Sequence, residues 1–336
     1  MKKKVLIVED SVLMQRVIGD IVQSSGEFEV CGYARDVDEA WAKFNKLKPD
    51  VITLDYELPG TNGLVFLQRV MTINPRPVLM LSAHTHQGAE ITIKSLNLGA
   101  VDFFPKPSGP ISIDLYDFKE ELITKLRYVA NANLKPIVFE PPVVPGIKKV
   151  DYIIGIAAST GGVKALNFLL SALNRELGFK IIIVQHMPKF FTATLANHLN
   201  ERSGLDIKEA RDRDSILPGT VLIAPGGAHI KIHPSGKVVT LSDEPPRYGL
   251  KPCADYLFES MAEVFKQKAL GIVLTGMGHD GTKGLLRIKQ MGGITIVQEP
   301  SEATIASMPQ SAIDAGAADH VLPLHLIVRK LTELAT

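Results

Sequence analysis

Short runs of apolar, often β-branched residues alternate with amphipathic stretches along most of the chain. In the first third, these apolar runs lie at residues 5–8, 28–33, 51–54, 78–81 and 101–104. A buried strand followed by a segment of helical periodicity is typical of a parallel sheet with helices packed on its faces. The pattern therefore predicts an α/β domain with five strands over residues 1–125.

A second α/β pattern begins near residue 150. Its apolar runs lie at residues 151–156, 180–185, 221–224, 270–274 and 294–298. Residues 229–233 and 237–241 flank Pro-Ser-Gly, which predicts an antiparallel hairpin added to the sheet. Pro252 is expected to open a helix that continues to about residue 267. We expect residues 150–336 to form a second doubly wound, Rossmann-like parallel sheet.

The two patterns are separated by residues 126–149. This segment contains the end of a helix and then a stretch, from residue 132, that holds four prolines and shows no sustained periodicity. Such composition is typical of a semi-extended linker. The sequence thus predicts a first domain over 1–125, a linker over 126–149 and a second domain over 150–336.

Composition narrows the possible classes of function. The chain has 37 Lys+Arg and 36 Asp+Glu, a formal charge of +1, so no strong positive field is available to attract nucleic acid or an anionic membrane. No apolar run approaches the roughly 20 residues that span a bilayer. Cys31 and Cys253 are far apart and lack a metal-ligand spacing, which is typical of free thiols in a reducing compartment. We expect a cytoplasmic protein without nucleic-acid binding or membrane insertion.

Polar side chains follow four predicted strands of the first domain. Glu9 and Asp10 follow the first strand, Asp55 the third, Ser82 the fourth and Lys106 the fifth. The carboxyl ends of parallel strands share one edge of a sheet, where ligands bind. Three carboxylates at one edge repel one another unless a hard cation such as Mg²⁺ lies between them. Asp55 is then placed as a nucleophile toward a phosphoryl group, which Lys106 can neutralise and Ser82 can hydrogen-bond.

These residues stand within motifs that resemble those of response-regulator receiver domains. The motifs are Val-Glu-Asp-Ser at 8–11, Leu-Asp-Tyr-Glu-Leu-Pro-Gly-Thr-Asn-Gly at 54–63, Leu-Ser-Ala at 81–83 and Phe-Pro-Lys-Pro at 104–107. The resemblance covers the first 125 residues or so and implies a flavodoxin-like fold. It also implies phosphorylation at Asp55, with Mg²⁺ held by Glu9, Asp10 and Asp55. Phe103 matches the switch aromatic of such domains, and ordinary core packing is an equal alternative for this residue.

In the second domain, three chemically distinct side chains follow predicted strands. Ser159 opens the segment Ser-Thr-Gly-Gly and lies at a helix N-terminus, where N–H groups favour the negative charge that develops in acyl transfer. His186 and Asp280 each follow another strand, so a nucleophile, a base and an orienting carboxylate can meet at one edge. We prefer His186 as the base because its strand follows that of Ser159 in the sequence.

Other readings of these residues stay open. The segment Ser-Thr-Gly-Gly also suits a phosphate-binding loop. Asp280 also suits the N-cap of a helix predicted over residues 281–291. His229 and His279 compete with His186 for the role of base.

Five motifs of this domain resemble those of the chemotaxis protein-glutamate methylesterases. They are Ala-Ser-Thr-Gly-Gly at 158–162, Gln-His-Met-Pro at 185–188, Ala-Pro-Gly-Gly-Ala-His at 224–229, Thr-Gly-Met-Gly with Asp-Gly at 275–281, and Ser-Met-Pro at 307–309. The resemblance spans nearly the whole chain. It implies Ser159 as nucleophile, His186 as base and Asp280 as orienter, with Thr160 and the N–H of Met277 near the oxyanion.

The expected function follows from both resemblances. They imply a phosphorylation-activated serine esterase that hydrolyses glutamate γ-methyl esters, and deamidates glutamines, on methyl-accepting chemotaxis receptors. A chemotaxis histidine kinase would be the phosphodonor, and Mg²⁺ in the first domain the one cofactor. We further hypothesise that the unphosphorylated receiver packs over the Ser159 edge and so restrains the enzyme.

Two rival functions carry different expectations. A transcriptional regulator would need a basic helix-turn-helix, whereas the second domain has an α/β pattern and the chain is almost neutral. A phospho-switched scaffold would bind a partner through the second domain without turnover. Labelling of Ser159 by a fluorophosphonate separates the scaffold from the esterase.

Overall fold

The computed structural model describes residues 1–83, 86–106, 118–135, 152–173 and 175–335, with only the backbone at 83, 86 and 87. The chain divides into two compact units, Met1–Leu134 and Lys135–Thr336. Most of the predicted linker, residues 136–149, lies outside the described residues, as do Asp151, the first residue of a predicted strand, and Asn174. No helix in the described part of the chain is long and apolar enough to cross a membrane.

The first unit is built on a parallel sheet of five strands in the order β2-β1-β3-β4-β5. Its strands are β1 (Lys3–Val8), β2 (Phe28–Ala34), β3 (Val51–Asp55), β4 (Val78–Ala83) and β5 (Asp102–Lys106). Its described helices are α1 (Val12–Ser24), α2 (Val37–Leu47), α3 (Gly63–Ile73), α4 (His86–Leu98) and α5 (Lys119–Val129). All five predicted strands are confirmed.

Helix caps set the short loops at the carboxyl edge of this sheet. Ser11 caps α1 by accepting a hydrogen bond from the N–H of Met14, and Asn62 caps α3 by accepting one from Leu64. The inner strand β1 is apolar and fully buried from Val5 to Val8, and α1 begins at Val12, four residues after the strand ends. These short connections leave the acidic residues after β1 and β3 at the same edge.

The second unit is built on a parallel sheet of seven strands in the order β14-β13-β12-β6-β7-β9-β8. Its strands are β6 (Ile153–Ala158), β7 (Lys180–Gln185), β8 (Asp206–Glu209), β9 (Thr220–Ile223), β12 (Ala269–Val273), β13 (Ile294–Gln298) and β14 (His320–Leu322). Its described helices are α6 (Gly162–Ser171), α7 (Phe191–Arg202), α8 (Ala254–Phe265), α9 (Thr282–Gln290), α10 (Ser307–Asp314) and α11 (Leu324–Leu334), with short 3₁₀ helices at Arg175–Leu177 and Lys266–Lys268. The expected doubly wound α/β architecture is confirmed.

The predicted antiparallel hairpin is present as β10 (His229–Ile232) and β11 (Val239–Ser242). The expectation that it extends the main sheet was wrong, because in the described structure these strands pair only with each other. Ile230 and Val239 are buried in the same apolar cluster as Met261 of α8. The hairpin therefore buries its apolar face against that helix and, in the described structure, does not pair with a strand of the main sheet.

Helix α8 begins later than its proline suggested. Its first residue is Ala254 and its N-cap is Cys253, so Pro252 lies before the helix. The cap residue makes no side-chain hydrogen bond to the first turn. The free N–H groups of this helix end are instead satisfied by a carboxylate from a distant loop, which belongs to the candidate site.

Candidate functional site

Strand register brings Ser159 and His186 to the same edge of the second sheet. Strands β6 and β7 are parallel neighbours in which Ala158 pairs with Gln185, so the residues that follow lie at the same level. The N–H of His186 donates to the carbonyl of Ala158 at 3.0 Å. On the other side of β6, the N–H of Ser159 donates to the carbonyl of Thr275, just after β12. The carboxyl ends of three strands therefore converge on the Ser159 turn.

His186 and Asp280 form a buried hydrogen-bonded pair. The distance between His186 Nε2 and Asp280 Oδ2 is 2.7 Å, and the two side chains are 7% and 0% exposed. Because an ionised carboxylate only accepts hydrogen bonds, Nε2 carries a proton, and in the neutral imidazole Nδ1 is then the nitrogen with the lone pair. Nδ1 is buried and has no hydrogen-bond partner among the described residues. The imidazole thus has one basic nitrogen available for a proton.

The Asp280 carboxylate lies at the N-terminus of α8, surrounded by donors. Oδ2 accepts from His186 Nε2 and from the N–H of Ala254, the latter at 2.6 Å. Oδ1 accepts from the thiol of Cys253 at 3.0 Å, the N–H of Asp255 at 3.0 Å and the N–H of Gly281 at 2.8 Å. Burial opposes ionisation, but the hydrogen bonds from His186, Cys253 and Ala254 outweigh it and hold the pKa of Asp280 below its ordinary value. The carboxylate therefore stays charged at neutral pH.

This arrangement decides between the alternatives for Asp280. The N-cap of α9 is Gly281, which has φ 87° in the left-handed region and no side chain to cap the helix. Asp280 instead caps α8, which lies 26 residues before it in the sequence. The alternative of a cap on the following helix was wrong, although Asp280 does cap a helix.

The competing histidines lie in other environments. His229 is buried, with Nδ1 accepting from the N–H of Cys253 at 3.1 Å and Nε2 facing the carbonyl of Pro245 at 3.2 Å. Both of its ring nitrogens are therefore in use, and burial lowers its pKa. His279 is exposed and packs edge-on against the ring of Tyr248. Of the three histidines, His186 is the one paired with Asp280.

The backbone of Ser159 is fixed from two sides. Its carbonyl accepts from Gln185 Nε2 at 2.9 Å and from the N–H of Gly162 at 2.7 Å. A Cβ at Gly276 would come within 2.7 Å of the Ser159 Cβ, so only glycine fits there. The Ser159 side chain is half-buried, and no hydrogen bond joins its hydroxyl to His186 among the described residues. These contacts hold the backbone of the turn, and Ser159 follows β6 at the sheet edge where His186 follows β7.

Of the residues expected near an oxyanion, Thr160 lies within this turn and Met277 lies in the loop after β12. Thr160 is buried, and its carbonyl accepts from the hydroxyl of Thr275 at 2.9 Å. In the loop after β12, the N–H of Gly276 donates to the carbonyl of Ile305, and that of Gly278 donates to Ser307 Oγ. The N–H of Met277 between them has no hydrogen-bond partner among the described residues. It is the donor that this loop leaves available.

Several supporting residues were not predicted from the sequence. Gln185, Thr275 and Ser307 stand inside the motifs that carried the resemblance, so their motifs were noticed while their contacts were not. Cys253 gave no signal, since its partner is far away along the chain. Such contacts depend on tertiary structure and leave no periodic pattern.

The first unit gathers the predicted acidic residues. Glu9 and Asp55 are buried, Asp10 is exposed, and one ligand oxygen from each lies within 4.8 Å of the others. Lys106 Nζ lies 2.8 Å from Glu9 Oε2 and 2.6 Å from Asp55 Oδ2. Burial raises the pKa of Glu9 to about 7, with Asp55 adding to the rise and Lys106 opposing it. Burial also disfavours the charged form of Lys106, but both carboxylates together raise its pKa.

This acidic cluster fits a hard divalent cation. Its three carboxylates supply the oxygen ligands that Mg²⁺ prefers, and a single lysine leaves negative charge uncompensated there. Ser82 is buried in β4, the strand next to β3, and its Oγ donates to the carbonyl of Gly88 at 3.2 Å and accepts from Thr92 Oγ1 at 2.6 Å. Phe103 is buried in β5 with the ammonium of Lys125 5.6 Å from its ring centre.

Nearly the whole chain is similar to known proteins. Residues 154–331 match the family model described as CheB methylesterase, and residues 5–114 match the response regulator receiver domain. The chain is 40% identical over 342 residues to a protein of Geobacillus kaustophilus, and 39% identical over 339 residues to one of Thermotoga maritima. Both are named protein-glutamate methylesterase/protein-glutamine glutaminase, and each alignment covers 98% of both chains.

A solved structure gives the same result for the second unit. The crystal structure of the Thermotoga maritima CheB methylesterase catalytic domain superposes with a TM-score of 0.53 at 39% sequence identity. The match covers 55% of this chain and 98% of that one.

Proposed function

The chain belongs to the CheB methylesterase family with an N-terminal receiver domain, and we propose that it is a phosphorylation-activated protein-glutamate methylesterase and protein-glutamine glutaminase. The observation that carries the proposal is the buried His186–Asp280 pair, which leaves one basic nitrogen free at the sheet edge that bears Ser159. Neither a scaffold nor a transcriptional regulator needs such a pair.

The first half of the reaction forms an acyl-enzyme. Ser159 Oγ attacks the γ-carbonyl carbon of a glutamyl methyl ester while His186 Nδ1 takes the hydroxyl proton. Asp280 holds the ring through Nε2 and stabilises the imidazolium that forms. The Met277 N–H and Thr160 stabilise the oxyanion, helped by the N-terminus of α6. When the tetrahedral intermediate collapses, the methoxy group leaves with the proton from His186 as methanol.

The second half returns the enzyme. A water molecule gives a proton to His186 Nδ1 and attacks the acyl carbon, and collapse of this intermediate releases Ser159 Oγ, which regains the proton. The product is a glutamate side chain. Deamidation of glutamine follows the same path, with ammonia in place of methanol as the leaving group.

The receiver supplies the control. We assign Asp55 as the phosphoacceptor, with Lys106 neutralising phosphoryl oxygens and Ser82 hydrogen-bonding them. A magnesium ion held by Glu9, Asp10 and Asp55 would neutralise charge on the incoming phosphoryl group. Phe103 stays a predicted switch residue. The relatives' names support protein glutamate esters and glutamines as substrates, and the receiver domain implies a phosphodonor. We propose methyl-accepting chemotaxis receptors as the substrates, a chemotaxis histidine kinase as the phosphodonor and the cytoplasm as the location.

Two measurements on the full-length chain test this proposal. A fluorophosphonate probe should label the wild type at Ser159, and labelling should be lost in Ser159→Ala and in His186→Ala. Methanol release from methylated receptor should rise when a small phosphodonor and Mg²⁺ are added, and Asp55→Asn should abolish this rise. A chain that neither reacts with the probe nor releases methanol would be a scaffold.

A further inference from the structure

The hydroxyl group of Ser307 makes two hydrogen bonds to the loop after β12. Ser307 Oγ donates to the carbonyl of Gly276 at 2.9 Å and accepts from the N–H of Gly278 at 3.2 Å. Met277, which lies between these two glycines, has the N–H that the loop leaves without a partner among the described residues. We propose that Ser307 is a positioning residue that aims the Met277 N–H at the oxyanion, an inference that rests on the proposed esterase function.

Peptide geometry explains how the hydroxyl acts. The Gly276 carbonyl and the Met277 N–H belong to the same planar trans peptide, so they point in opposite directions. Ser307 Oγ and the N–H of Met308, at 3.0 Å, both hold this carbonyl from the side of α10. Fixing the carbonyl on that side fixes the N–H on the other. Two donors on the carbonyl also polarise the peptide, which strengthens its N–H as a donor.

The position of Gly276 directs this peptide to the Ser159 turn. A Cβ at residue 276 would lie 2.7 Å from the Ser159 Cβ and 2.2 Å from Met308 Sδ. The residue is thus confined between the nucleophile's turn and the first turn of α10. A small rotation of its peptide would change the direction of the Met277 N–H relative to Ser159.

The second bond of Ser307 restrains the far side of Met277. Gly278 has φ 91°, and nothing lies within 4 Å of the position where its Cβ would be. A glycine adopts positive and negative φ about equally well, so Gly278 does not fix the loop conformation by itself. In the described structure, the N–H of Gly278 is held by Ser307 Oγ. Loss of the hydroxyl would therefore release the loop at both ends of Met277.

An ordinary helix-end role does not account for Ser307. The N-cap of α10 is Ala306, and no side chain caps this helix end. The described hydrogen bonds of the Ser307 hydroxyl go to the loop after β12 rather than to its own helix. Ser311, one turn later on α10, provides a matched comparison, because its Oγ accepts from Thr282 Oγ1 at 3.2 Å and makes no hydrogen bond to residues 276–278 among the described hydrogen bonds.

The test compares Ser307→Ala, Ser307→Thr and Ser311→Ala in the full-length chain. Methanol release from methylated receptor gives kcat and KM, the fluorophosphonate labelling rate reports on Ser159, and thermal unfolding reports on stability. We expect Ser307→Ala to lower kcat and the labelling rate about tenfold, less than the 10²–10³-fold typical when an oxyanion donor is removed. KM should stay within about twofold, since the loss falls on the transition state.

The controls separate positioning from folding. Ser307→Thr keeps the hydroxyl and should restore most of kcat, whereas Ser311→Ala should leave kcat close to the wild-type value. If Ser307→Ala does not fold, the isosteric pair Ser307→Val and Ser307→Thr gives the same comparison. Equal kcat with and without the hydroxyl at 307, or an equal loss in Ser311→Ala, would overturn the inference. A wild type without labelling or methanol release would instead overturn the proposed function.

Discussion

The carboxylate of Asp280 accepts a hydrogen bond of 2.6 Å from the backbone N–H of Ala254, the first residue of α8. The same oxygen, Oδ2, accepts the hydrogen bond from His186. The buried carboxylate of Asp280 therefore caps the N-terminus of α8 and also orients the candidate base. Because the helix end supplies fixed donors and the positive end of its macrodipole, the carboxylate keeps its charge without solvent. Stability and the proposed catalysis therefore depend on the same residue.

Replacing Asp280 with asparagine should damage both properties. The amide NH₂ group would face N–H and S–H donors, so the helix end and His186 would lose acceptors. We expect the free energy of unfolding to fall by about 3 kcal/mol, since breaking a buried charged network typically costs 3–5 kcal/mol. The expected fall in kcat is on the order of 10⁴-fold, because the imidazole loses its orienting partner.

Urea unfolding and methanol release measure these two effects. Asp314→Asn at the end of α10 is a suitable control, since this residue is exposed and bonds only Gln310 among the described hydrogen bonds. Wild-type stability in Asp280→Asn would contradict the capping role, even if activity were lost.

The low pKa of Asp280 predicts a specific dependence of stability on pH. Burial opposes its ionisation, but the donors around it lower its pKa from the usual 3.8. At a pH between the lowered pKa of Asp280 in the folded chain and its ordinary pKa in the unfolded chain, this carboxyl is protonated mainly in the unfolded chain. Acid therefore favours unfolding. The stabilisation should be complete above about pH 5 and should decrease as the pH falls below about 4. The difference in unfolding free energy between wild type and Asp280→Asn should therefore shrink in acid; a constant difference from pH 6 to pH 2.5 would contradict it.

The thiol of Cys253 should contribute to the same site as a donor. Burial, followed by the nearby Asp280 charge, raises its pKa, so it stays protonated and donates to Asp280 Oδ1. Cys253→Ala should lower the free energy of unfolding by about 1–2 kcal/mol, the cost of leaving a buried acceptor with one bond fewer. Cys253→Ser keeps a donor and should lie closer to the wild type. Urea unfolding of the three chains measures the effect, and an alanine variant more stable than the serine variant would contradict it.

Sequence patterns predicted the parts of this protein that depend on local periodicity. The five strands of the first unit and the strand-end positions of Ser159, His186 and Asp280 follow from apolar runs, because side chains after parallel strands share an edge. Strands β8 and β14 were missed because they have only four and three residues at the sheet margins. The capping of α8 by Asp280 and the packing of the hairpin on that helix depend on long-range contacts, which no local pattern encodes. The catalytic and metal-binding roles themselves stay predictions for experiment.

Removal of divalent cations should affect the stimulated activity and not the basal one. The carboxylates of Glu9, Asp10 and Asp55 lie close enough to share one ion, and Lys106 alone does not balance them. Without the ion, an anionic phosphodonor would approach a net negative cluster, so phosphorylation of Asp55 should fail. With EDTA present, a small phosphodonor should therefore no longer raise methanol release from methylated receptor, and added Mg²⁺ should restore the rise.

The basal rate in EDTA is the informative control for the second unit. There, Cys253, Asp255 and Asp280 also lie within 4.8 Å of one another, but the thiol donates to Asp280. Both carboxylates already accept hydrogen bonds from the backbone. The N–H groups of Ala254 and Asp255 donate to Asp280, and the N–H of Gly284 donates to Asp255 at 2.7 Å. These groups are satisfied by protein donors, so basal methanol release should be the same with and without EDTA. A basal rate that falls in EDTA and returns with a metal would show that the esterase reaction itself requires a cation.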